Sequence, residues 1–177
     1  MQALYFILDT LATLYQAVLL LRLLMQLTRA DFRNPIARGI VQLTDPLIRP
    51  LRRVLPPLRR IDTASVVAIV VFAAVKLWIL QLLSGYGVPS ASTLLLATLL
   101  DIIRLVLKTY FFSIILNALL SFVAPGNYSP AQSLLASICN PVLNPIRRVI
   151  PSVAGLDLSP LWACIAIQAL LIILPVA

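Results

Sequence analysis

The sequence predicts an all-α membrane protein with about four transmembrane helices in two parallel repeats, each with short amphipathic interfacial helices in its cytoplasmic loop. Composition is the first reason: 61% of the 177 residues are hydrophobic and 11% are charged, and the mean hydropathy is +1.02. Such a chain has too little polar surface to cover a soluble globule. The other two reasons are long apolar stretches and an internal repeat.

The apolar stretches cover residues 4–27, 63–83, 99–124 and 158–177. A helix needs about 20 apolar residues to cross the hydrocarbon core of a bilayer, so each stretch is long enough. The first stretch lacks a basic leader, and its Tyr15 recurs as Tyr110 in the third. We therefore expect it to belong to the mature fold, not to a cleaved signal peptide.

The internal repeat is clearest in DPLIRPLRRVLPPLRRID at 45–62 and NPVLNPIRRVIPSVAGLD at 140–157. Position 46 corresponds to position 141, so the offset is 141 − 46 = 95, and no gap is needed. The residues that keep register are Pro46, Pro50, Arg52, Arg53, Pro56 and Asp62, matched by Pro141, Pro145, Arg147, Arg148, Pro151 and Asp157. The pattern predicts a first repeat over 1–84, an external connection over 85–98 and a second repeat over 99–177.

The positive charges predict the topology. Eight arginines separate the first two stretches and two separate the last two, whereas the connection has none. Under the positive-inside rule both arginine-bearing loops are cytoplasmic, which places both termini and the connection outside. Because each repeat crosses twice, the repeats share one orientation and are parallel, not inverted.

The cytoplasmic loops carry helix signals. Asn34–Pro35 and Ser129–Pro130 each offer an N-cap followed by proline at the first helical position, which predicts short helices over about 35–44 and 130–139. Asn144–Pro145 is a further start. In PLIRPLRRVLP apolar and basic residues take opposite sides, as in a helix lying in the membrane interface. We expect the prolines at 50 and 56 to break this segment into short pieces.

The arginine pairs have two open interpretations. Arg52, Arg53, Arg147 and Arg148 can fix topology and bind anionic phospholipid, since an arginine near an anionic leaflet contributes about 1 kcal/mol. They can also form a surface for another membrane protein or for a second copy of the chain.

Asp62 and Asp157 also have two interpretations. Each precedes an apolar stretch, where an aspartate can cap the helix and complement its dipole. Two aspartates in like-oriented repeats can instead form a cytoplasmic mouth that attracts cations. Ser159 competes with Asp157 as the cap, which predicts that Asp157 is the freer carboxylate.

Few charged or polar residues fall inside the stretches. We expect the long side chains of Arg22 and Lys76 to reach the headgroups, and Asp101 to pair with Arg104 three residues on. Asn117 aligns with Arg22 and is a candidate for a polar contact between helices.

Several classes of function are excluded or disfavoured. The chain has no histidine and only two cysteines, so no metal site, cofactor site or disulfide framework is indicated. No catalytic motif occurs, which predicts that the protein is not an enzyme. The net charge of +8 comes with arginines between apolar spans, not with a soluble basic surface, so nucleic acid is not an expected partner.

The doubled pattern of prolines, Arg-Arg and aspartate before an apolar span resembles the YggT family, also called YlmG. NPVLNPIRRVIPSVAGLDLSP carries the resemblance best, and DPLIRPLRRVLPPLRRIDTAS carries it more loosely, because Arg59-Arg60 replace the small Ala154-Gly155. The resemblance implies a multi-pass protein of the bacterial inner membrane, with relatives in plastids. It also implies a role in osmotic stress and potassium handling, in cell-division or nucleoid processes, or in assembly of a b-type cytochrome complex.

Two hypotheses follow from different classes of function. The first is a non-enzymatic scaffold or assembly factor that uses the Pro-Arg-Arg segments to bind lipid and a partner. The alternative is a small potassium channel or transport-related protein, for which the paired aspartates would attract the cation.

Overall fold

The computed structural model describes residues 2–55, 62–85, 87–123, 129–150 and 157–175. Within these ranges the chain forms six helices and no strands. The helices are α1 (Gln2–Leu27), α2 (Pro35–Val54), α3 (Thr63–Leu83), α4 (Ala91–Val123), α5 (Pro130–Val149) and α6 (Ser159–Ile173). The prediction of an all-α fold is confirmed for this part of the chain.

The helices follow the same order in both repeats. α1 packs against α3, α3 against α4, and α4 against α6, so that the first and last helices of each repeat form one bundle. The amphipathic helix α2 packs on α1 and α3, and its counterpart α5 packs on α4 and α6. The N-termini of α2 and α5 meet where the Asn34 amide donates a hydrogen bond of 2.6 Å to the carbonyl oxygen of Pro130.

Two helices, α1 and α3, are long and apolar enough to cross a membrane by length and composition. Only 17% and 28% of their most apolar windows are buried inside the fold, so most of this apolar surface faces outward. That is the expected arrangement in lipid and differs from the buried core helix of a soluble protein. A membrane location is therefore supported, while four crossings stay a prediction.

The two long helices of the second repeat, α4 and α6, differ in length from the spans predicted for them. α4 has 33 residues and begins at Ala91, inside the predicted external connection. α6 is apolar but has only 15 residues, which gives a helix of roughly 22 Å at 1.5 Å per residue. It is therefore shorter than the predicted stretch 158–177, and crossing a full hydrocarbon core would require local thinning of the bilayer.

The prediction that proline breaks the amphipathic segments is wrong within the described residues. α2 and α5 are each continuous over 20 residues, with Pro46 and Pro50 inside α2 and Pro141 and Pro145 inside α5. All four prolines are exposed. Each proline lacks a backbone N–H and so leaves one helical carbonyl without its usual partner. Because residues four apart share one helix face, these carbonyls lie on one outer side, where water or headgroups can hydrogen-bond to them. Pro56 and Pro151 lie outside the described residues.

The helix starts predicted at Asn34–Pro35 and Ser129–Pro130 are confirmed, whereas the start predicted at Asn144–Pro145 is wrong because both residues lie inside α5. The Asn34 side chain accepts a hydrogen bond of 2.9 Å from the backbone N–H of Ile36, and Ser129 accepts one of 3.1 Å from Gln132. Each cap is followed by proline at the first helical position, where its missing N–H costs nothing. These two caps set where α2 and α5 begin, and thus where their last turns present Arg52 and Arg147.

The core is asymmetric between the repeats. The larger cluster of buried residues surrounds Leu19, Leu24 and Ile48 of the first repeat and also includes Leu134 and Ile138 of α5. The smaller cluster draws only on residues of the second repeat: Ile114, Cys139, Leu143, Ala163 and Ile167. The second repeat therefore completes the core of the first.

Candidate functional site

Arg52 and Asp62 form an ion pair that joins the end of α2 to the start of α3. The Nε of Arg52 donates to Oδ2 of Asp62 over 3.1 Å, and its Nη2 donates to the same oxygen. The hydroxyl of Ser65, one turn into α3, donates to this oxygen over 2.7 Å. The Asp62 side chain is only 3% exposed, whereas the Arg52 side chain is 47% exposed, so the carboxylate is buried and the guanidinium is half open to solvent. We call this pair the first brace.

The same pair occurs in the second repeat at the same offset. The Nε of Arg147 donates to Oδ2 of Asp157 over 2.8 Å, and its Nη1 donates to the side-chain oxygens of Asn140 and Asn144, each over 3.2 Å. The backbone N–H of Ser159 donates to Oδ1 of Asp157 over 2.9 Å. The Asp157 side chain is 41% exposed. This pair is the second brace.

Both aspartates of the braces are held in the charged form. Burial opposes ionisation of Asp62, but the hydrogen bonds and charge of Arg52 and the Ser65 hydroxyl outweigh it and lower the pKa of Asp62. Partial burial also opposes ionisation of Asp157, but hydrogen bonds from Ser159 and Arg147 outweigh it and lower the pKa of Asp157. The braces therefore remain ionised at neutral pH.

The second arginine of each pair points away from the brace. Arg53 and Arg148 are exposed, and neither forms an ion pair within the part of the chain that the structure describes. We call them the outward arginines. They lie beside the exposed prolines of α2 and α5, so each segment presents one free guanidinium next to a rigid, proline-containing helix end.

The expectation that the Arg22 side chain reaches the headgroups is wrong. It is 4% exposed and pairs with Asp45 of α2 over 2.8 Å, and it also donates to the Thr44 hydroxyl over 2.7 Å. The reason is that α2 packs directly on α1 and supplies a carboxylate and a hydroxyl beside Arg22, so the buried charge is compensated. Arg22 thus makes a polar contact within the first repeat.

The counterpart of Arg22 has different surroundings. Asn117 lines a cavity of about 760 Å³ between α4 and α6, together with Arg147 and Asp157 of the second brace. Asp45, the partner of Arg22, corresponds to Asn140, so a charged pair in the first repeat becomes two amides in the second. Asn140 contacts Arg147 instead.

Lys76 and Asp101 also depart from expectation. Lys76 is buried, and its Nζ lies 2.6 Å from Oδ1 of Asp101. Gln16 donates to Oδ2 of Asp101 over 3.0 Å, and Arg104 binds the carbonyl oxygens of Leu174 and Pro175, not Asp101. The pairing of Asp101 with Arg104 and the snorkelling of Lys76 are wrong because α3 and α4 pack side by side, which makes Lys76 the nearer partner.

The outward arginines supply chemistry suited to binding anions. No group of three or more His, Cys, Asp or Glu side chains that could hold a metal occurs among the described residues. Burial raises the pKa of the Cys139 thiol to about 12, which favours the protonated thiol over the nucleophilic thiolate at neutral pH. What the site presents is a pair of outward guanidinium groups that suit phosphate or carboxylate.

Comparison with known proteins identifies relatives along most of the chain. The CCB3/YggT family model matches residues 1–83 and 96–177, two segments that reflect the two predicted repeats. An uncharacterized protein of Pseudomonas aeruginosa is 42% identical over 164 residues, covering 92% of this chain and 83% of the relative. The uncharacterized protein YggT of Escherichia coli K12 is 35% identical over 161 residues, covering 91% and 83%. No solved structure matches the chain.

Proposed function

The chain belongs to the CCB3/YggT family, and we propose that it is a non-enzymatic scaffold of the bacterial inner membrane, an assembly or stress-related factor. Its two Pro-Arg-Arg segments bind anionic phospholipid and dock another membrane protein on the cytoplasmic face. All four predicted spans cross the membrane, and both termini lie outside.

The observation that carries the proposal is that the two arginines of each Arg-Arg pair have different surroundings. The first arginine is fixed by an aspartate ten residues later in the chain, in both repeats. This contact holds the last turn of the amphipathic helix against the start of α3 or α6. The second arginine is left outside on a helix end with a fixed position, as a binding group requires.

Anionic lipid supplies the first ligand. An arginine near an anionic leaflet contributes about 1 kcal/mol, so Arg53 and Arg148 together orient the cytoplasmic face without dominating the membrane affinity. A protein partner gains more, because a guanidinium beside a rigid surface forms bidentate contacts with carboxylates at low entropic cost.

The test compares two matched double variants. Arg53→Gln with Arg148→Gln removes the outward arginines, and Arg52→Lys with Arg147→Lys keeps the charge of the braces. Each tagged protein is purified from native membranes with its bound partners, which are quantified by mass spectrometry. We expect the outward variant to lose a discrete set of membrane proteins that wild type and the lysine variant retain. Equal recovery of partners by all three proteins contradicts the proposal.

The alternative function is a small potassium channel or transport protein that protects against osmotic stress. It depends on Asp62 and Asp157 attracting cations, but each carboxylate is paired with an arginine. Lys76 likewise pairs with Asp101 between α3 and α4, so the Asp101 carboxylate is not free to attract a cation either. These contacts favour the scaffold.

Measuring potassium flux into liposomes distinguishes the scaffold from the channel or transport protein. Wild type is compared with an Asp62→Asn, Asp157→Asn variant, with protein-free vesicles as the blank. We expect no flux above the blank for either protein. Flux through wild type that disappears in the variant overturns the scaffold proposal.

A further inference from the structure

The two repeats do not pack on each other with two-fold symmetry. α3 of the first repeat packs against α4 of the second, whereas the corresponding pair, α6 and α1, makes no contact among the residues the structure describes. In the same way α5 packs against α1, but α2 and α4 do not touch in these ranges. A two-fold relation would produce both members of each pair. The relation is therefore head-to-tail, and it leaves one surface of each repeat unused.

The surface that the first repeat offers is polar. Asp101 of α4 docks there, bound by Lys76 over 2.6 Å and by Gln16 over 3.0 Å. Thr13 accepts a hydrogen bond of 3.5 Å from the same lysine. Thr13, Gln16 and Lys76 thus form the socket that receives α4.

The same socket exists in the second repeat but stays open. Adding 95 to the numbers of Thr13, Gln16 and Lys76 gives Lys108, Phe111 and Leu171. These three residues line a cavity of about 410 Å³ between α4 and α6, together with Arg104, Phe112 and Gln168. The occupied socket is polar, whereas the open one combines apolar Phe111, Phe112 and Leu171 with the basic Arg104 and Lys108.

The residue that would fill the open socket is present elsewhere on the chain. Subtracting 95 from Asp101 gives Phe6 of α1, which is 69% exposed. Its neighbour Ile7 is also exposed, whereas the counterpart Ile102 packs on the core. The inserted residue and the socket that receives it therefore differ together between the two contacts. Within the chain, Asp101 binds Lys76 and Gln16, whereas between chains the apolar Phe6 would meet the apolar Phe111 and Leu171.

Charge adds a second complementarity. Arg104 and Lys108 line the open socket, and neither forms an ion pair among the described residues. The Nε of Arg104 is buried and has no hydrogen-bond partner within those residues. The acidic residue of α1 is Asp9, less than one turn from Phe6. The basic residues of the socket are thus matched by an aspartate near the N-terminal end of α1.

We infer that the chain assembles with further copies of itself, α1 of one protomer inserting Phe6 into the α4–α6 socket of the next. The contact repeats the internal packing of the two repeats and keeps every protomer in the same membrane orientation. Because the interface is head-to-tail, the product is a ring if the rotation closes.

Disulfide trapping tests the contact in the full-length protein. Phe6→Cys and Leu171→Cys are combined in a background with Cys139→Ala and Cys164→Ala, and the protein is oxidised in native membranes. We expect a ladder of covalent dimers and larger species on a non-reducing gel. Each single-cysteine protein should stay monomeric, since a head-to-tail contact never brings two copies of one position together.

Leu4 provides the matched control. It is exposed on α1, and its counterpart Leu99 stays exposed in the second repeat, so Leu4→Cys with Leu171→Cys should not crosslink. Equal crosslinking of this control, or dimers from Phe6→Cys alone, overturns the inference. So does a monomeric mass of wild type in nanodiscs, which would mean that lipid fills the socket. If the cysteine variants fail to fold, Phe6→Ala should lower the mass of the assembly and Leu4→Ala should not.

Discussion

Asp62 and Asp157 occupy the same place in their repeats but have different surroundings. The Asp62 side chain is almost fully buried, and that of Asp157 is 41% exposed. An unpaired carboxylate costs far more in a buried site than in water. The same arginine–aspartate pair is therefore expected to contribute differently to stability in the two repeats.

Removing the arginine from each brace should reveal this difference. Arg52→Ala leaves the buried Asp62 carboxylate without its cationic partner, and we expect a loss of about 3 kcal/mol. Arg147→Ala leaves a half-exposed Asp157 that water can solvate, and we expect a loss of about 1 kcal/mol or less. Unfolding in mixed detergent micelles measures both. Equal losses would show that burial does not distinguish the two braces.

The stability of the protein should also depend on acid. Hydrogen bonds from Arg52 and from Ser159 lower the pKa of Asp62 and of Asp157 against the opposing effect of burial. A lowered pKa in the folded state contributes stability above the ordinary aspartate value of about 3.9, and this is lost as pH falls through the lower folded value. We expect the melting temperature in detergent to drop below about pH 4. The drop should be smaller in Asp62→Asn, and an identical profile for the variant would contradict the role of this pair.

At the residue scale the sequence located the members of the braces but not their pairing. Arg52 and Asp62 are ten residues apart and belong to different helices, so helical spacing cannot join them. Only the return of the chain from α2 to α3 brings them together. The Arg22–Asp45 pair does leave a signal in the sequence, because both positions change to asparagine, Asn117 and Asn140, in the second repeat.

At the scale of elements, helix starts were predictable and helix lengths were not. Asn34 and Ser129 cap α2 and α5 as their residue types predict. Cap chemistry is local and is readable from two or three residues. Whether proline ends a helix depends on which face it occupies, and that depends on packing against neighbouring helices.

Loss of the first cap should cost more than loss of the second. Asn34 caps α2 and also donates to the carbonyl oxygen of Pro130 in the other repeat, whereas the Ser129 side chain caps α5 only. A cap contributes about 1 kcal/mol, and a further hydrogen bond contributes about 1 kcal/mol. We expect Asn34→Ala to destabilise the protein about twice as much as Ser129→Ala in the same unfolding assay. A larger effect of Ser129→Ala would contradict this account.

At the scale of the whole molecule, composition and the internal repeat predicted a helical membrane protein, and the resemblance of the Pro-Arg-Arg motif predicted its family. They could not predict that the second repeat completes the core of the first, because that depends on contacts between residues far apart in sequence. Leu43 and its counterpart Ile138 illustrate the point: the first is 62% exposed and the second 1%. Identical positions in a repeat thus differ once the copies pack head-to-tail.

The topology is testable with cysteines placed on both sides of the bundle. Arg53→Cys reports on the end of α2, and Val88→Cys reports on the exposed segment before α4. In a background with Cys139→Ala and Cys164→Ala, a membrane-impermeant maleimide should label position 88 in intact spheroplasts and position 53 only after lysis. Labelling of both positions from the same side would refute the proposed crossings.

The scaffold function requires that the outward arginines face a protein partner. The most direct measurement is photo-crosslinking in living cells, with a light-activated amino acid at position 53 or 148 and, as the control, at position 4, an exposed residue of α1. We predict discrete protein adducts from positions 53 and 148, sharing at least one partner, and none of these from position 4. Adducts with lipid alone from all three positions would contradict the scaffold function.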